Sequence, residues 1–184
     1  RALKPADRLP TSDRRRFNST DGRRLPKETI PVYGHRHAVR VVMGPQDDAF
    51  TEGGIKTFLS SSYSVSPQSD RTGYRLQGPH IHHKGGADIV SDGIPPGAVQ
   101  VTGDGTPIVL MADRGTTGGY TKIATGISVD LSHLAQAAPG DTIFFRAVTL
   151  EEAHQALKKQ EESLQNLSST PREPLARRGG FRRR

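Results

Sequence analysis

Between residues 38 and 148 the apolar residues come in short runs of strand length, separated by glycine, proline and small polar residues. Val39, Val41 and Val42 mark a strand over residues 38–43, which Gly44-Pro45 stops. Asp47 or Asp48 is placed to cap a short helix reaching about Leu59, with Phe50, Ile55 and Phe58 turned inward and Gly53-Gly54 weakening it. Strands are predicted over 60–65, 74–76, 80–83 and 98–102. Residues 91–97, rich in proline and glycine, read as a rigid polar loop. A continuous apolar run over 108–111 passes through a polar, glycine-containing stretch into a second run over 123–129. This reads as a tight return, a hairpin with a long loop. A helix over 131–137, started by Asp130 and ended by Pro139-Gly140, precedes a last strand over 142–148 with Ile143 and Phe145 buried.

After residue 148 the rhythm changes to a helical one. Thr149 with Glu152 forms a capping-box pattern, and a helix follows to about Leu167. Its apolar positions, Ala153, Leu157 and Leu164, are sparse, so we expect it partly docked and partly solvated. Many short strands with Gly/Pro turns and two or three short helices predict a mainly β fold, a β-rich barrel. The expected organisation is an extended basic linker over 1–31, the barrel over 32–148, the C-terminal helix over 149–167 and a disordered basic tail over 168–184.

Composition changes this picture in three ways. The 184 residues suffice for one domain, yet only 33% are hydrophobic, which fits extended ends around a folded part. The chain has no cysteine, so it forms no disulfide and suits a reducing compartment, the cytoplasm. Its net charge of +7 lies in the ends: residues 1–27 carry +6 and residues 171–184 carry +5, leaving −4 between them. Basic blocks in unstructured ends read as solvated tails, and a nucleic-acid role is not expected. No apolar run approaches the ~18 residues of a spanning helix, so no membrane role is expected. The first residues lack both an apolar signal core and an initiator methionine, so the chain reads as a fragment or a processed form.

The candidate chemistry lies in polar loops. Ser69-Asp70-Arg71 and Asp113-Arg114 are two acid–arginine pairs, and an arginine fork recognises a carboxylate or ureido oxygen in bidentate fashion. On the residues alone two readings stand: the loops line a shared pocket, or each arginine clamps the other loop's aspartate. Thr116, Thr117 and the amides at Gly118 and Gly119 are potential donors to a developing oxyanion, and Tyr120 offers a ring to cover a flat substrate. His80, His82 and His83, like His35 and His37, suggest metal ligands, but no cysteine, further histidine or acid follows at a ligand spacing, and no metal is assigned. Lys84-Gly85-Gly86 is too short for a phosphate loop, and no nucleophile elbow is present.

The segment Asp113-Arg114-Gly115-Thr116-Thr117-Gly118-Gly119-Tyr120-Thr121-Lys122-Ile123-Ala124 closely resembles the D-R-x-T-T-G-G-Y-x-K-I-A motif of the biotin-dependent carboxyltransferase family. That family also goes under the names KipA-like, allophanate hydrolase subunit 2 and 5-oxoprolinase C subunit. Further matching pieces follow the family's order: Gly44-Pro45-Gln46-Asp47-Asp48-Ala49-Phe50, Ser69 to Leu76, His83 to Ile89, Ser91-Asp92-Gly93, Gly97 to Val101 with Gln100, Leu134-Ala135-Gln136 and Pro139-Gly140-Asp141. They cover roughly residues 38 to 146. Two departures are small: Gly115 replaces a frequent glutamine, and Gly126 interrupts the following strand.

The resemblance implies a cyclophilin-like β-barrel, the fold of the family's C-terminal half. It implies a subunit of an ATP-dependent 5-oxoprolinase, which opens the 5-oxoproline lactam to glutamate. An alternative is the carboxyltransferase component of a biotin-dependent urea carboxylase or allophanate hydrolase-type system; another is a non-enzymatic KipA-like regulator that binds a kinase inhibitor. ATP would act through the full complex and not on this chain, and biotin enters only under the first alternative. The implied partners are a KipI-like sister subunit (the 5-oxoprolinase B subunit) and the family's N-terminal half. The implied catalytic residues are Asp70, Arg71, Asp113 and Arg114. Ser69, Gln100, Thr116, Thr117, Gly118, Gly119 and Tyr120 are the implied substrate-binding residues. We expect the chain alone to be inactive, because loops of one small barrel leave a site open to water.

Overall fold

In a computed structural model, residues 3–9 and 27–169 are described. Nine strands and three helices follow one another: β1 (Arg36–Met43), α1 (Glu52–Ser60), β2 (Ser62–Val65), β3 (Gly73–Gln77), β4 (Asp88–Gly93), β5 (Ala98–Val101), β6 (Pro107–Leu110), β7 (Thr117–Tyr120), β8 (Lys122–Gly126), α2 (Ser128–Leu134), β9 (Thr142–Ala147) and α3 (Leu150–Ser169). Seven strands close a barrel in the order β1-β8-β5-β6-β3-β2-β9, and β4 pairs only with β7 in a separate ribbon. The mainly β barrel expected from the residue pattern is the fold found.

The barrel is antiparallel except where it closes. There β1 and β9 run parallel, with Arg36 opposite Thr142 and Val41 opposite Ala147. Alternation along the strands sends Val39, Val41, Tyr63, Val65, Val99, Val101, Ile143 and Phe145 into one core. Phe58 of α1 stacks on Phe145 with ring centroids 4.5 Å apart, and Phe50 is fully buried in the same cluster.

Several expected elements shift. The first helix is not capped by Asp47 or Asp48, which form a separate 3-10 turn. Thr51 caps it, its hydroxyl accepting from the Gly54 amide at 2.9 Å, a contact worth about 1 kcal/mol. Gly54, predicted to weaken the helix, is required there: a Cβ would stand 2.5 Å from the His82 carbonyl oxygen. Residues 80–83 are not a strand, because their backbone is used elsewhere. The Ile81 amide donates to Gly105, and the His82 carbonyl accepts from Thr51. Residues 91–93 of the expected polar loop belong to β4, leaving only 94–97 as loop. Asp130 does not start α2. Its N-cap, Ile127, offers no side-chain bond, and Asp130 is instead buried in the first turn, where Arg40 grips it at 2.6 and 3.0 Å.

The return over 108–129 is the largest correction. β6 and β8 do not pair with each other, because β5 lies between them and pairs with both. The glycine stretch contributes its own strand, β7, which leaves the barrel wall to pair with β4. The capping box is present: the Thr149 amide donates to Glu152 at 2.7 Å, and the Glu152 amide to Thr149 at 3.1 Å. Leu150, Leu157 and Leu164 of α3 stay substantially exposed. The expected linker is described only at residues 3–9 and 27–31. Of the expected tail, residues 168 and 169 lie inside α3, and the rest falls outside the described residues.

Asp141, just before β9, ties the closing seam. Its carboxylate meets His35 at 2.7 Å and His37 at 3.3 Å and accepts from the Ala138 amide at 2.8 Å. The Ala138 amide first, and the histidines after it, hold this carboxyl at about 2, below its ordinary 3.8. The folded value is the lower one, so the stabilisation is present above the unfolded value and is lost as pH falls through the folded one. Thermal unfolding across a pH series is expected to show the midpoint falling between about pH 4 and about pH 2. Asp141→Asn is expected to lower the midpoint at neutral pH and to flatten the curve in that acid window.

Candidate functional site

The sequence candidates separate into two neighbouring places. The first is the barrel end where the loop before β3 meets the loop after β6. Asp70 does not contact a partner arginine: it accepts from the Thr72 and Gly73 amides at 2.8 and 3.2 Å, which pull its carboxyl below the ordinary range. The turn so formed presents Arg71, whose guanidinium donates to Asp113 at 3.1 Å. Thus one half of the clamp reading holds, because Arg71 takes the other loop's aspartate. The other half does not. Arg114 donates through Nε to the Ile94 carbonyl at 2.8 Å, fastening the loop after β6 to the end of the ribbon. Ser69 exchanges hydrogen bonds with the Arg75 backbone and shapes the same turn.

Beneath Arg71 lies a cavity of about 340 Å³ lined by Val65, Tyr74, Met111, Ala135, Ala137 and Pro139, with Ser69, Asp70 and Arg71 at its polar side. Arg71 is 81% and Asp113 51% exposed, so their pair is a weak surface one. A larger concavity of about 520 Å³ lies beside β1 among Arg36, Arg40 and Arg146, and it holds His37 but none of the implied catalytic or substrate-binding residues.

The second place is the seam between the barrel wall and the β4–β7 ribbon. Gln100 of β5 stands opposite Lys122 of β8, and both are buried. The Gln100 amide donates to the Tyr120 carbonyl at 3.4 Å. Gly118 lets the ribbon lie close, since a Cβ there would stand 2.7 Å from Ile94 and 3.1 Å from the Gln100 amide nitrogen. Lys122, 1% exposed, sends its ammonium to Asp92 of β4 at 2.9 Å, and Asp92 is 52% exposed. Gln46 accepts from the Lys122 amide at 3.1 Å and donates to Asp92 at 3.4 Å. Lys122 is the chief cause of the low Asp92 carboxyl. Thr116 and Thr117 are exposed on the ribbon, the Thr116 carbonyl accepting from the Ile94 amide at 2.9 Å, and Tyr120 is partly exposed beside them.

Lys122, Asp92 and Gln46 were absent from the residues singled out by type and spacing, although each lies in a matching motif. The signal available was a lysine opening an apolar strand, where a charge is costly unless paired. The histidines have local duties: His83 meets Thr121 at 3.0 Å, and His80 meets the Asp104 carbonyl.

The chain is thus a closed barrel carrying an outlying glycine ribbon, with a cavity beside Arg71 and a buried lysine under the ribbon. Residues 1–147 match the family described as the carboxyltransferase domain, subdomain A and B, and the chain belongs to that family. It is 38% identical over 168 residues to the 5-oxoprolinase C subunit of Escherichia coli, covering 91% of this chain and 52% of that protein. It is 37% identical to the 5-oxoprolinase C subunit of Haemophilus influenzae, over 88% of this chain and 50% of that protein. The chain therefore spans about half the length of these relatives. The crystal structure of the Kluyveromyces lactis urea amidolyase matches with a TM-score of 0.73 at 27% identity, over 82% of this chain and 10% of that one. Among the described residues no helix is long and apolar enough to cross a membrane.

The exposed Arg71–Asp113 pair leads to a measurable expectation. A double-mutant cycle of Arg71→Ala and Asp113→Ala, read by urea unfolding, is expected to give a coupling of no more than about 1 kcal/mol.

Proposed function

We propose that this chain supplies the substrate-binding barrel of an ATP-dependent 5-oxoprolinase, acting with a KipI-like sister subunit and an N-terminal half of the kind its relatives' greater length allows. The observation that carries this reading is the cavity under Arg71. 5-Oxoproline is a small ring with apolar methylenes, an amide and one carboxylate. The apolar walls from Val65, Tyr74, Met111 and Ala137 suit the ring. The exposed Arg71 fork suits the carboxylate, with Asp113 holding the fork in place until the ligand arrives.

In this reading Asp70 and Ser69 fix the turn that aims Arg71. Arg114 anchors the loop that carries Asp113. Thr116, Thr117 and the amides near Gly118 and Gly119, with Tyr120 and Gln100, do not line this cavity, and the reading assigns them to the developing oxyanion from the ribbon side. ATP is used by the assembled complex and not bound by this chain, which places the work in the cytoplasm. The chain alone is inactive, since a site built from loops of one barrel stays open to water and its electrostatic contacts stay weak.

The likeness to urea amidolyase favours a second reading, carboxyl transfer from carboxybiotin to an amide acceptor. A third, a KipA-like regulator that binds a kinase inhibitor, needs only a partner surface and no turnover.

Reconstitution with the sister subunits separates the three. ATP-dependent release of glutamate from 5-oxoproline supports the first, avidin-sensitive carboxyl transfer the second, and partner capture without either reaction the third. Under the first reading Arg71→Ala is expected to raise KM for 5-oxoproline by about 10- to 100-fold, the loss of one charge-assisted carboxylate contact. An unchanged KM in a folded variant would remove Arg71 from substrate binding.

A further inference from the structure

We infer that the ammonium of Lys122 is a binding group for a carboxylate-type oxygen pair, and that Asp92 on the β4–β7 ribbon is a built-in stand-in which such a ligand displaces. The inference deepens the proposed function and rests on it only for the natural ligand: since Arg71 takes the one carboxylate of 5-oxoproline, the oxygen pair at Lys122 is that of the second carboxylate, which opening of the lactam creates.

A lysine ammonium is rarely buried, because leaving water costs several kcal/mol unless a partner repays it. Lys122 is 1% exposed, and the acceptor that meets its ammonium is an aspartate that is itself half in solvent. A pair that served only to satisfy a buried charge would be expected to have both members enclosed. Here the anion comes from outside the barrel, on an element that the barrel does not need.

That element is weakly held. β4 pairs with no strand other than β7, its register is irregular between Asp88 and Asp92, and most of its residues are exposed, Val90 by 92%. Isolated two-stranded ribbons are marginally stable. The cationic side, by contrast, belongs to the closed barrel, although the β5–β8 register also shifts between Val99 and Gln100 beside Lys122. Lys122 opens a barrel strand paired with β5, and its own amide is held by Gln46. A cation in the barrel wall faces a half-exposed carboxylate carried on a separate two-stranded ribbon, which is the arrangement that an incoming carboxylate can replace.

The surroundings suit a planar, oxygen-rich ligand. The Gln46 side-chain amide already donates to the Asp92 oxygen that Lys122 holds, and it would donate equally to a ligand oxygen in its place. The seam also holds the amide of Gln100 beside the glycine strand, where Gly118 leaves no side chain in the way. The Gln46 amide and the Lys122 ammonium already share one carboxylate oxygen of Asp92, while the Gln100 amide is engaged by the Tyr120 carbonyl, and that pair of donors matches a carboxylate or carbamate oxygen.

The test uses variants of this chain whose structural and binding consequences differ. Lys122→Met keeps the buried volume and removes the charge, leaving Asp92 in solvent. Exchange of a buried ion pair for an apolar side chain is often neutral or stabilising. The variant is therefore expected to unfold at the same or a higher temperature. In a reconstituted complex it is expected to lose about 100-fold or more in kcat/KM, the scale of removing one donor from a reacting oxygen. Full activity of folded Lys122→Met in an active complex would overturn the inference.

If the wild-type complex does not turn over 5-oxoproline, the proposed function fails, and the binding claim is read separately. The Lys122 ammonium resonance is followed by NMR in this chain as acetate, bicarbonate or phosphate is added. Saturable shifts with acetate or bicarbonate, at about tenfold lower concentration in Asp92→Asn, support the inference. No shift with either, or a response to phosphate alone, overturns it.

Discussion

A barrel whose first and last strands run parallel closes only when nearly the whole chain is in place. β1 and β9 lie at opposite ends of the folded sequence, yet they share the longest register in the structure, from Arg36–Thr142 to Val41–Ala147. Such non-local pairing is reached late, because the intervening chain must be ordered first. The seam is reinforced accordingly. Asp141 gathers His35, His37 and the Ala138 amide at its start, and Arg40 reaches from β1 to Asp130 of α2 across its flank. The core behind it is stitched by Phe145, which touches both Phe58 and Tyr63. Once the seam is closed, β5, β6 and β8 are fixed as a wall, and that wall carries the buried Gln100 and Lys122.

The polar residues on the wall depart from the rule that charges stay outside. Most of the buried charge here is fully explained by folding: Asp130 has Arg40, and Asp141 has two histidines and an amide. Lys122 differs because its partner belongs to a ribbon that adds nothing to barrel closure. Sequences that obey local rules elsewhere tend to break them at functional sites, where stability is given up for a poised group. The difference between Asp130 and Lys122 lies therefore in the partner's location and not in burial itself.

The barrel was legible because its signals are local. Valines alternate along β1, glycine and proline punctuate the turns, and the Thr149–Glu152 box announces α3. What was not legible depended on pairing. The run over 108–111 and the run over 123–129 both read as strands, but nothing local shows that β5 passes between them. Gly118 and Gly119 look like turn residues, yet they form β7, and at Gly118 a Cβ would press on the side-chain ends of Ile94 and Gln100. At the site, Asp70, Arg71, Asp113 and Arg114 were recognisable as an acid–arginine set, and the Arg71–Asp113 contact follows from it. That Asp70 would bind its own turn and Arg114 a carbonyl follows only from three-dimensional placement. Lys122 escaped notice because a lone lysine carries no pattern; its meaning lies in burial and in the distance to Asp92.

The two places are physically joined. The stretch from Met111 to Lys122 lines the cavity with its first residue, holds Arg71 with Asp113, and ends in the buried ammonium. Between these points Arg114 is pinned to the Ile94 carbonyl, and the Ile94 amide is pinned to the Thr116 carbonyl. Ile94 is also part of the small apolar cluster with Ala98 and Leu110 that seats the loop on the barrel wall. The stretch from Met111 to Lys122 is thus a strap fastened in its middle, with one end at Arg71 and the other under the ribbon. Fastening the middle lowers the freedom of both ends, so under the proposed function a ligand at either place would meet groups that are already oriented. Pre-orientation of this kind reduces the ordering cost of binding. It also explains why charged, hydroxyl, glycine and aromatic residues crowd into one short stretch: each serves a different point along a single strap.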